Sequence, residues 1–132
     1  MNCTLFAIAA HELDASLESS LPGYDDASAS RTGARYESSA PLALGTAWPA
    51  LHVALGDRGA DHPLGFLEAG GEERAEFAGP QSRGRYFTPA ATVKILAALA
   101  RLTRPSPDVE RLRVFVAETV ASERGLVVHQ FT

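Results

Sequence analysis

With 132 residues, 45% of them hydrophobic, and a net charge of −4, the chain fits one ordinary globular domain. Its eleven arginines and one lysine are scattered among sixteen acids, so no basic stripe forms, which excludes an electrostatic nucleic-acid binder. A single cysteine excludes an internal disulfide and a thiolate metal cage, and fits a reducing compartment.

The opening MNCTLFAIAA is apolar but has no basic start, and its run stops at His11-Glu12, unlike a secretory signal. No stretch approaches the ~20 apolar residues of a membrane span, so the expected location is the cytoplasm. Residues 2–9 read as a buried first strand. Residues 10–20 read as a short helix with Leu13, Leu17 and Leu21 on one face. The composition then turns to Ser, Ala, Asp and Gly over 22–41, a flexible surface excursion with little to bury.

Residues 46–55 predict a second helix, capped by Thr46, tolerant of Pro49 in its first turn and ended by Gly56. That spacing puts Trp48, Leu51, His52 and Leu55 on one inward face. GDRGADHP is turn chemistry, LGFLE at 64–68 a short strand, and EERAEFAGPQS a loop or frayed turn. Arg85-Tyr86-Phe87 predicts another strand. It leads through Thr88 as cap and Pro89 at the first helical position into a helix over 89–103, apolar nearly all round. Ser106-Pro107 repeats the device for a last helix with Val109, Leu112, Phe115, Val116, Thr119 and Val120 inward. Gly125 closes that helix, and LVVHQF is a terminal strand.

In order, LALGTAWPALHVALG, HPLGFLEAGGEE and GRYFTPAATVKILAAL resemble the YfbM-like family, domain of unknown function 1877. The matching positions are Trp48 and His52, Gly70-Gly71-Glu72, and Arg85-Tyr86-Phe87-Thr88-Pro89, within about residues 40–103. The resemblance implies a small bacterial α+β fold without an established activity, and so speaks to fold rather than to function.

The expected architecture is α+β: a small mixed or antiparallel sheet that includes both terminal strands, covered by three to four helices. Candidate ligand-binding residues are Trp48, His52, Glu72, Arg85 and Tyr86, with His52 the candidate base and Arg85 the anion holder. The plainer readings are a core aromatic pair, a tight Gly-Gly turn, and an Arg85 ion pair with an acid such as Glu72. The four histidines form no metal-binding spacing, so no metal and no cofactor are expected. Cys3 reads as a small buried hydrophobe. Phe66 and Phe77 on loops allow a dimer patch, giving a monomer or weak homodimer.

No nucleophile, base and orienter can be assembled, so the reading leans away from an enzyme. It favours a protein-binding module, for instance one that neutralises a basic toxin or enzyme. The alternative is a small-molecule-binding protein or cryptic enzyme with a His52/Arg85 pocket.

Overall fold

The computed structural model describes residues 1–9, 41–59, 61–73, 81–103 and 105–132. The helix expected over 10–20, Phe77, and all of the excursion at 22–41 except Pro41 lie outside these residues. Among the described residues, five strands form one antiparallel sheet: β1 (Asn2–Ile8), β2 (Leu42–Gly45), β3 (Glu72–Glu73), β4 (Ser82–Phe87) and β5 (Gly125–Phe131). Their order is β2-β1-β5-β4-β3, so the two chain termini supply adjacent central strands. The described helices are α1 (Trp48–Ala54), α2 (Pro89–Ala100) and α3 (Pro107–Ala121). This is the α+β architecture expected, with a sheet that is wholly antiparallel.

Alternation sorts the sheet faces. Cys3, Leu5, Leu126, Val128 and Phe87 join Ile95 and Leu99 of α2, Val109, Leu112 and Val116 of α3, and Leu51 and Leu55 of α1 in one core. Each large apolar side chain so buried contributes about 1.5–3 kcal/mol. Phe6, Ile8, Val127 and His129 on the other face are also buried. Helices α2 and α3 start as read: the Thr88 and Ser106 hydroxyls accept from the N–H groups of Ala91 and Val109, each ahead of a proline.

Several expectations are corrected. Helix α1 is preceded by Ala47 without a side-chain cap, so Thr46 does not cap it. LGFLE is not a strand. Pro63–Gly65 forms a single 3₁₀ turn capped by His62, whose Nδ1 accepts from the N–H of Leu64, and Phe66 is buried rather than exposed for dimerisation. LALG forms an edge strand, and so does Glu72-Glu73, expected in a loop or frayed turn. Helix α2 stops at Ala100 and shows Val93 to solvent, so its buried stripe is one-sided. Gly125 does not close α3. Glu123 takes the left-handed position (φ +58), while a Cβ on Gly125 would lie 2.5 Å from the Phe87 carbonyl and the Tyr86 ring. Space, not φ, demands that glycine.

Candidate functional site

Helix α1 turns His52 inward, 3% exposed, beside Leu51 and Leu55. Its end is a Schellman motif: Gly56 N–H bonds the Val53 carbonyl and Asp57 N–H the His52 carbonyl, with Gly56 at φ +104. That reversal folds Asp57 back over its own helix. The Asp57 Oδ1 atom lies 3.1 Å from His52 Nε2, and Glu68 Oε2 lies 2.8 Å from the same nitrogen. The imidazole is buried, whereas both carboxylates are largely exposed.

Two devices fix Glu68. First, buried Arg85 donates from Nη2 to the carbonyls of Phe66 and Leu67 at 2.9 Å each, and from Nη1 to that of Gly70 at 3.0 Å. The Gln130 amide adds a second donor to the Leu67 carbonyl at 2.8 Å. Burial, then the nearby Arg83 cation, pulls the Arg85 guanidinium down to about 10. Second, Gly65 packs on the 58–59 backbone so closely that a Cβ would sit 2.1 Å from the Gly59 carbonyl oxygen. Backbone cannot yield as a side-chain tip does, so Gly65→Ala is expected to destabilise the chain by about 1–3 kcal/mol in urea unfolding. The loss should exceed that of an exposed helical control such as Val93→Ala.

The five residues read as one pocket are divided by the sheet. Arg85 and Tyr86 are consecutive in β4 and project to opposite faces. Arg85 serves carbonyls, not a Glu72 ion pair. Trp48 is half-buried against the core and donates from Nε1 to the Met1 carbonyl at 3.2 Å. Glu72 and Tyr86 are paired across β3 and β4 and line a cavity of about 350 Å³. That cavity lies between the 61–63 and 69–72 segments and the start of α2. His52 and Arg85 instead grip one loop, residues 66–70, from its side chain and from its backbone. Cys3 is fully buried, and burial pushes its thiol up to about 12, against a nucleophilic role.

No family model matches the chain, and no curated protein matches it in sequence. Among solved structures, it matches the crystal structure of YfbM from Escherichia coli, a protein of unknown function. The TM-score is 0.67 over 98% of this chain and 99% of that one. The fold is YfbM-like. At 12% identity the likeness to YfbM concerns architecture alone. No described helix is long and apolar enough to cross a membrane.

Within this YfbM-like frame the sequence reading missed Asp57 and Glu68, the two carboxylates beside the imidazole. Their separations from His52 match no ligand motif. The usable signal was Gly56: a glycine after a helix predicts the reversal that returns the next residue to the last turn.

Proposed function

We propose that the protein binds a small molecule with an apolar body and a basic group in the cavity beside Gly70-Gly71. The observation that carries this reading is the cavity's mixed lining at about 350 Å³, within the ~300–1,000 Å³ range of ligand sites. Phe87 and Ile95, both buried, with half-buried Pro63 and Ala91, offer an apolar wall. Asp61, Glu72, Lys94 and His62 bring the polar groups. Two carboxylates against one ammonium favour a cationic over an anionic guest. His62 Nδ1 already accepts from Leu64, so its neutral ring carries the proton on Nε2, a donor for a carbonyl or hydroxyl of the same guest.

A second cavity, about 410 Å³ between β2, α1 and the start of α3, contains none of the five residues singled out above. The protein-binding alternative has less to rest on. Among the described residues, the exposed large apolar ones, Met1, Val53, Val93 and Val114, sit on separate segments rather than on one element.

The test is a thermal-shift screen of apolar primary amines against matched carboxylates, on the chain and on Ala91→Trp, which fills the cavity. Amines should raise the melting temperature of the parent and leave the variant unmoved. Carboxylates acting equally well, or a shift that survives in Ala91→Trp, would sink the reading. Recovery of a stoichiometric protein partner without any ligand would restore the protein-binding alternative.

A further inference from the structure

We propose that His52, Asp57 and Glu68 form a binding site for a six-coordinate divalent first-row transition-metal ion. Their ligand atoms, His52 Nε2, Asp57 Oδ1 and Glu68 Oε2, all lie within 4.8 Å of one another. This site is separate from the amine cavity and does not depend on it.

The geometry distinguishes an ion from a proton between these groups. Nε2 stands 2.8 and 3.1 Å from the two oxygens yet makes no aligned hydrogen bond with either. A ring N–H points along a single direction, outward from Nε2 in the plane of the imidazole. A proton on Nε2 prefers one oxygen along that direction. A metal behaves otherwise: it lies on the ring axis and draws its other ligands around it. With metal–nitrogen and metal–oxygen bonds of about 2.1 Å, ligands at right angles are about 3.0 Å apart, and tetrahedral ones about 3.4 Å. The observed 2.8 and 3.1 Å match the right-angled case. Nδ1 is buried without a partner whichever occupant Nε2 takes, so it favours neither.

The donor set fits the same class. An imidazole favours a transition metal over magnesium or calcium, and two carboxylates bring an ion harder than copper within range. One nitrogen and two oxygens leave three positions for water, which the exposure of both carboxylates allows. The arms are held before any ion arrives. The Schellman motif sets Asp57, while Arg85, Gln130 and the Gly65 contact set the 66–68 backbone. Little ordering remains to oppose binding.

The experiment titrates the whole chain with Mn²⁺, followed by loss of the free-ion electron paramagnetic resonance signal, and with Co²⁺, followed by visible absorption. Asp57→Asn and Glu68→Gln are the variants. Both positions are exposed, and asparagine tolerates the left-handed backbone of residue 57 (φ +51), so the fold should persist. The expected result is saturable 1:1 binding, with the weak Co²⁺ bands of six coordination, weakened at least about tenfold by either substitution. Circular dichroism should be unchanged. Absence of saturable Mn²⁺ binding, equal affinity in both variants, or the intense Co²⁺ bands of a tetrahedral site would overturn the proposal.

Discussion

Replacing Arg85 by methionine is expected to lower stability by about 3–5 kcal/mol, a large share of the ~5–15 kcal/mol that a domain usually has. Methionine occupies similar space but leaves the carbonyls of Phe66 and Gly70 without the guanidinium, and that of Leu67 with Gln130 alone. Each lost bond to a charged donor costs about 1.5–3 kcal/mol where the acceptor stays buried. Lysine should not rescue. Its single ammonium cannot span three carbonyls that the planar guanidinium reaches from two nitrogens. Urea unfolding of the parent, Arg85→Met and Arg85→Lys measures this, and a loss below about 1 kcal/mol for methionine would show that the loop holds itself. The same variants should weaken any Mn²⁺ binding, because Glu68 follows directly on Leu67.

That role for Arg85 was out of reach of the sequence, for a physical reason. Buried arginine usually meets an acid, and Glu72 stood at the right distance along the chain, but the β3–β4 register sends Glu72 to the Tyr86 side. What a short segment decides by itself was legible: the terminal strands, the Thr88-Pro89 and Ser106-Pro107 helix starts, and the inward face of α1 with His52 on it. What distant partners decide was not. LALG shows no alternation that marks a strand, yet it pairs with β1 because Leu5 and Thr4 lie beside it. LGFLE has strand composition, but its carbonyls are taken by Arg85 and Gln130 side chains instead of a neighbouring ladder. The candidate site follows the same division. His52 was visible from helical spacing, whereas Asp57 needed the helix reversal and Glu68 needed a loop tied to the sheet from below.

Acid should destabilise the protein through His129. This side chain sits on β5 with no exposed surface, stacked on Phe131 at 5.0 Å between ring centroids and tilted against Phe6 at 6.3 Å. Burial penalises the imidazolium and lowers the group from 6.5 to about 4. Between those two values the unfolded chain binds a proton that the folded chain refuses. The contribution of neutral His129 is therefore complete above pH 6.5, falls as the pH drops, and is gone below about 4. A gap of this size corresponds to about 3 kcal/mol. His129→Phe keeps an aromatic ring between Phe6 and Phe131 and removes the titration. The stability difference between parent and variant, measured by urea unfolding from pH 7.5 to 4, should shift by about 3 kcal/mol in the variant's favour on acidification. The carboxylates titrate alike in both proteins and cancel in that difference. A difference that stays flat across the range would mean that the imidazole is charged inside the fold, and that the sheet face around it admits water.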